Sequence, residues 1–170
     1  MSNLQERLES MDISLFEKIP SQTTDDDKRS LLAIQSAVRE IAPTYTYLEI
    51  GSHLGGSIQP HLVDERCAKI YSIDKRPLVQ PDERGVSYGY PENSTQRMLS
   101  LLSEIAPTEK IVTFDGETGK LDQSVVDVRP QLCFIDGEHT DKATKVDFDF
   151  CLNTLDTGGG DHLPRCLCDL

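Results

Sequence analysis

The sequence predicts an α/β protein, a parallel sheet covered by helices on both faces. Three observations predict it. Strand-like and helix-like stretches alternate four times between residues 45 and 155. The first strand runs into a glycine-rich turn, YTYLEIGSHLGGS over Tyr45–Ser57. Polar residues gather where strands end, at Glu49 to Ser57, Asp74, Asp115 and Asp136 to His139. That is the edge where such sheets bind ligands.

The bulk numbers narrow the field. The 170 residues suffice for one domain with a real core. A net charge of −12 disfavours nucleic-acid binding, which needs a basic face. No run approaches the roughly 18 apolar residues of a membrane span. The opening MSNLQERLES is too polar and charged for a signal peptide. The five cysteines are scattered and odd in number, so reduced thiols and a cytoplasmic protein are expected. Hydrophobic residues make up 37%, low for a packed domain, so part of the surface is expected to be loop.

In chain order, residues 1–43 read as a helical lead-in. Leu4, Leu8 and Met11 fall at helical spacing, with Phe16 and Ile19 packing the segment down. Thr23 or Thr24 caps a helix whose first turn holds Asp25, Asp26 and Asp27, favoured there by the helix dipole. Leu31, Ile34, Val38 and Ile41 mark its apolar face, and Pro43 stops it. After the first strand, Gly51, Gly55 and Gly56 let the chain turn, and Ser57 is expected to cap the next helix. Such a loop offers bare N–H groups to an anionic or strongly polar ligand. Pro60 is tolerated in that helix's first turn. His53 and His61 read as loop and surface residues.

AKIYSID over Ala68–Asp74 is the second strand. Its closing acid lies at about the offset where a carboxylate meets a ribose in doubly wound folds; the bland alternative is a turn cap. Residues 76–92 read as a loop whose Tyr88 or Tyr90 could line a pocket, with plain exposure as the alternative. A helix over Asn93 to Glu104 buries Met98 and Leu102. Lys110–Phe114 is the third strand, Leu121, Val125 and Val128 suit a brief helix, and QLCFID over Gln131–Asp136 is the fourth strand. The run Val146-Asp147-Phe148-Asp149-Phe150 alternates like a strand. Length and flanking residues favour a helix from Thr140 to Leu155, with Ala143, Val146, Phe150 and Leu155 inside.

YLEIGSHLGGS, YSIDKRP and FIDGEHTDKATKVDFDFCLNTLDTGG together resemble the class I S-adenosylmethionine-dependent methyltransferases, Rossmann-like α/β proteins. The resemblance is to the branch with an IDGxH motif, which holds sugar and small-molecule O-methyltransferases, and it covers roughly residues 44–160. It implies that Glu49, Gly51, Ser52 and Gly55 hold the methionine part of S-adenosylmethionine. It implies that Asp74 holds the ribose hydroxyls, and that Asp115 and Gly116 lie near the adenine. In some members the fourth-strand motif binds a divalent metal such as Mg²⁺ and removes a proton, here Asp136 as ligand and His139 as base. The implied partner is a small-molecule methyl acceptor. Capping by His139 and loop orientation by Asp136 remain the alternatives.

The resemblance breaks at the end. The family sheet has seven strands, whereas GGGDHLPRCLCDL is short, polar and contains Pro164. Residues 161–170 therefore read as an irregular tail. The sheet is expected to be incomplete, with about four strands, from truncation or a shifted reading frame. That would put the activity of this form in doubt and expose a sheet edge for self-association. Asp161, His162, Cys166 and Cys168 match no strong zinc spacing. Two rival functions remain. One is an NAD-linked oxidoreductase, against which the glycines stand, since they do not form G-x-G-x-x-G. The other is a non-catalytic interaction module.

Overall fold

The computed structural model describes residues 3–81, 87–155 and 165–168, the last four by their backbone alone. The lead-in forms a short helix α1 (Leu4–Glu9), capped by Asn3, and a 3-10 turn at Ile13–Phe16. It shares one core with the sheet: Leu8, Phe16 and Ile19 pack with Leu32, Tyr47, Ile70 and Met98. Helix α2 (Asp25–Ile41) begins in a capping box, with the Thr24 hydroxyl accepting from the Asp27 amide at 3.2 Å.

Strands β1 (Tyr45–Ile50) and β2 (Cys67–Asp74) flank helix α3 (Gln59–Val63). The expected loop after β2 contains a hairpin, β3 (Val79–Pro81) and β4 (Ser87–Gly89). The side chain of Tyr88 lies outside the described residues. Helix α4 (Thr95–Ser103), capped by Ser94, then leads to β5 (Ile111–Asp115). The brief helix expected around Leu121 is instead two 3-10 turns, Thr118–Lys120 and Gln123–Val125, and Val128 is exposed. Strand β6 (Leu132–Ile135) and helix α5 (Asp141–Thr154), capped by Thr140, follow.

The main sheet is parallel, in the order β5-β2-β1-β6-β7. β1 and β6 are buried throughout because helices cover both faces. The last strand corrects the sequence reading. Arg165–Cys168, expected to be irregular, forms β7 and pairs with β6 from Leu132↔Arg165 to Ile135↔Cys168. The fourth main-sheet strand in chain order is therefore paired on both sides, contrary to the exposed edge expected of it. Four backbone pairs suffice for a strand whose composition does not announce one. The glycines of 158–160 and the residues Asp161 and His162 lie outside the described residues. Among the described residues no helix is long and apolar enough to cross a membrane.

Candidate functional site

Backbone hydrogen bonds bring four loops together at the carboxyl edge of the sheet. The Gly51 amide donates to the Ile73 carbonyl at 2.8 Å, the Asp136 amide to Ile50 at 2.8 Å, and the Gly116 amide to Asp74 at 3.0 Å. Gly51 has φ +89°, and a Cβ there would lie 2.0 Å from the Asp136 carbonyl oxygen. Only glycine lets the loops after β1 and β6 meet so closely. Between the loops lies a cavity of about 870 Å³. That volume suits a cofactor or drug-sized ligand.

Six of the nine site residues expected from the sequence line this cavity: Gly51, Ser52, Asp74, Gly116, Asp136 and His139. Asp74 is nearly buried, and its carboxylate accepts from the amides of His53 and Arg76, both at 2.7 Å. The Arg76 guanidinium is 3.5 Å away and reaches the His53 carbonyl as well. These contacts fix the carboxylate at the mouth of the first loop. Asp136 and His139 stand together, with Oδ1 3.4 Å from Nε2. Glu138 between them turns aside to pair with Lys75.

Three expected residues are not on the cavity wall. Glu49 is fully buried, accepting from the Tyr47 hydroxyl at 2.9 Å and from the Ser57 hydroxyl. Burial pushes its carboxyl up to about 8, against the pull of those two donors. Ser57 lines the cavity and spends its hydroxyl on Glu49; it caps no helix, since Ile58 holds that place. Gly55 serves the turn, at φ +85°, and packs on Leu102. Asp115 turns away to the Thr95 hydroxyl and lies 3.5 Å from Arg76 Nε.

The bare-amide reading of the first loop holds for only part of it. The Gly51 amide is taken by Ile73, that of His53 by Asp74, and that of Gly55 by the Ser52 carbonyl at 2.7 Å. The loop therefore offers a fixed carboxylate together with the amides of Ser52, Gly56 and Ser57, which no hydrogen bond among the described residues takes. His61, read as a surface residue, is buried and stacked on Tyr47 at 3.8 Å between ring centroids. Val146, expected inside, is 38% exposed and lies at the cavity rim.

Several lining residues escaped the sequence reading. The segment Pro20–Thr23 closes one side by packing on Gly56, where a Cβ would meet Ser21 at 2.5 Å. Gln80 of the hairpin donates to the Gly137 carbonyl at 2.8 Å, so the hairpin forms another wall. Thr118 and Asp147 close the far side, with the Thr118 hydroxyl donating to the Asp147 carboxylate. Among the described residues no group of three His, Cys, Asp or Glu side chains could hold a metal ion. Asp136 and His139 alone do not make the oxygen-rich set that Mg²⁺ takes. The zinc pattern of the tail rests on side chains outside the described residues.

No protein-family model matches the chain, and no curated protein sequence matches it significantly. Solved structures do. One is a provisionally assigned caffeoyl-CoA O-methyltransferase from Staphylococcus aureus, 18% identical, with a TM-score of 0.54 over 92% of this chain and 63% of that one. Another is a provisionally assigned RNA methyltransferase from Pyrococcus horikoshii, 12% identical, with a TM-score of 0.54 over 92% of this chain and 70% of that one. The chain thus spans under two thirds of the first protein's length. At these identities the likeness is one of architecture: the chain shares a Rossmann-like α/β fold with these two proteins.

Proposed function

We propose that the chain binds S-adenosylmethionine in the carboxyl-edge cavity and serves O-methylation of a small molecule or sugar. One observation carries the reading: Asp74 and the Asp136–His139 pair open into the same cavity, either side of the Gly51 loop. The fold supports it, because the two solved structures named above share this architecture and are provisionally assigned as methyltransferases.

The donor set suits the cofactor. Asp74, fixed by two amides, keeps acceptor capacity for ribose hydroxyls. When bound, S-adenosylmethionine would supply a methyl group on a sulfonium centre, from which a nucleophilic oxygen displaces the sulfide in line. The sulfide that leaves needs no proton, so the chain's main task is alignment. A hydroxyl acceptor must lose its proton, and His139 takes it. Asp136, 3.4 Å from Nε2, holds the ring and stabilises the charged imidazolium. No metal enters this scheme. The 870 Å³ of the cavity accommodates both a cofactor and a compact acceptor.

Calorimetric titration with S-adenosylmethionine and its demethylated product S-adenosylhomocysteine tests the reading. Saturable heat is expected from both, and none from NADH in parallel. A folded sample that gives no heat with either adenosyl ligand overturns it, and heat with NADH alone would favour the oxidoreductase rival.

A further inference from the structure

We propose that Asp147 reads the exocyclic amine of the cofactor's adenine, the place that sequence reasoning gave to Asp115. This inference rests on the methyltransferase reading above.

Asp147 is set against the polarity of its own helix. It is 8% exposed on the inner face of α5, while its apolar neighbours Val146 and Phe148 are each 38% exposed. A carboxylate buried in preference to a valine and a phenylalanine calls for a use. One carboxylate oxygen, Oδ1, accepts from the Thr118 hydroxyl. Among the described residues the other, Oδ2, has no hydrogen-bond partner. The space beside Oδ2 is kept open by a glycine: a Cβ at Gly137 would stand 3.1 Å from it. Asp147 and Gly137 both line the cavity, so Oδ2 is the acceptor that this wall offers a ligand.

The route from Asp74 leads there. The loop after β5 starts beside Asp74, whose carbonyl accepts from the Gly116 amide at 3.0 Å. Two residues on, Thr118 holds Asp147. A ribose on the Asp74 carboxylate would therefore run its purine along Gly116–Thr118, with the purine's polar edge toward Oδ2. Asp115 is the weaker candidate because it does not line the cavity. Burial raises the Asp147 carboxyl above its ordinary range, against the Thr118 hydroxyl and the nearby Lys75. An added donor from a ligand would relieve that cost.

The chemistry makes a sharp distinction. Adenine presents an amine at this edge, which a carboxylate accepts. Hypoxanthine presents a carbonyl oxygen there, which a carboxylate repels. The test titrates S-adenosylhomocysteine and its deaminated counterpart, S-inosylhomocysteine, into the wild type, Asp147→Asn and Thr118→Val, each checked for folding by thermal melt. The wild type should prefer the adenosyl ligand by about tenfold or more, as a site built around one hydrogen bond does. Asp147→Asn, whose amide can donate to the oxygen of hypoxanthine, should lose or invert that preference. Thr118→Val, which keeps the carboxylate but frees it to rotate, should narrow it. A wild type without preference, or an unchanged preference in the folded variants, overturns the assignment while the methyltransferase reading stands. A wild type that binds neither ligand overturns both.

Discussion

The two ends of the parallel sheet carry the same kinds of side chain and use them in opposite ways. At the amino end, polar groups are spent on one another. Asp64 is fully buried and accepts from Tyr45 at 3.0 Å, Gln35 at 3.1 Å, the Arg66 amide at 2.9 Å and the Arg39 guanidinium. Tyr45 has one proton and gives it to Asp64, so His61 Nδ1–H donates to the tyrosine oxygen at 2.9 Å. Lys110 ties the carbonyls of His61, Asp64 and Cys67 together at 2.8 to 3.0 Å. At the carboxyl end, Asp74, Asp136 and Asp147 are each held from one side and face a cavity on the other. The closed set stabilises the fold, and the open set is what a ligand can use. Burial alone does not separate them, since Asp64, Asp74 and Asp147 are all buried. What separates them is acceptor capacity that faces a cavity: each oxygen of Asp64 takes two donors, whereas Asp74 and Asp147 line the cavity with capacity to spare.

The sharpest way to break this comparison is to remove one partner from the closed set. Asp64→Ala leaves Arg39 buried without its counter-charge. Burial raises Asp64, but Arg39, the Arg66 amide and Gln35 outweigh it and hold the carboxyl below its ordinary value. Losing one member of such a pair should cost about 3–5 kcal/mol of stability, read in a urea melt. The affinity of the remaining folded molecules for S-adenosylhomocysteine should not change. A selective loss of affinity at full stability would show that the amino-end network serves the site.

Glu49 sharpens the comparison because it sits at the carboxyl end but belongs to the closed kind. Its folded value of about 8 lies above the ordinary 4.5, so the folded protein keeps a proton that the unfolded chain gives up. Its contribution is complete below pH 4.5 and is lost as pH rises through about 8. His61 works the other way. Burial lowers it from 6.5 to about 3, so its contribution is complete above pH 6.5 and is lost as pH falls toward 3. The two slopes offset each other between pH 4.5 and 6.5. From pH 6.5 to 8 the Glu49 slope acts alone, at about 1 kcal/mol per pH unit. Glu49→Gln mimics the protonated acid and should abolish that alkaline decline in chemical denaturation at stepped pH. A decline of the same steepness in the variant would place its origin elsewhere.

The same contrast explains what could be read from the sequence. The capped helix α2, the strands β1, β2, β5 and β6 and the pairing of loop with acid at Asp74 were legible, because local chemistry sets them. Thr24 with three following aspartates is a helix start wherever it occurs. Residues whose surroundings come from distant chain were not. His61 follows a proline in a short helix, and packing on Tyr45 and Tyr47, both distant in the chain, buries it. Asp147 hid because periodicity assigns charged residues to the outer face, whereas Thr118, 29 positions earlier, turns it inward. Glu49 was given to the ligand because its strand position is right. Tyr47 and Ser57, both in plain sight in the sequence, take its two oxygens. β7 depends on its four pairings with β6 more than on its own residues.

The smallest expected effect falls on the open set, and it separates binding from folding. Asp74→Asn keeps the shape of the side chain and one oxygen. It can still accept from one of the two amides, but it loses the charge beside Arg76. Affinity for S-adenosylhomocysteine should fall by about 1–2 kcal/mol, roughly tenfold, because a hydrogen bond from a ribose hydroxyl to a charged acceptor becomes a neutral one. Stability should fall less than in Asp64→Ala, since asparagine keeps an oxygen for one of the two amides and the residue borders the cavity. The two variants together form the decisive pair: one should destabilise the fold strongly and leave the affinity of folded molecules unchanged, and the other should weaken affinity with a smaller shift of the melt. If Asp74→Asn instead destabilises as strongly as Asp64→Ala and leaves affinity intact, Asp74 is a turn anchor for the Lys75-Arg76-Pro77 corner. The ribose would then have to be held by another group on the cavity wall.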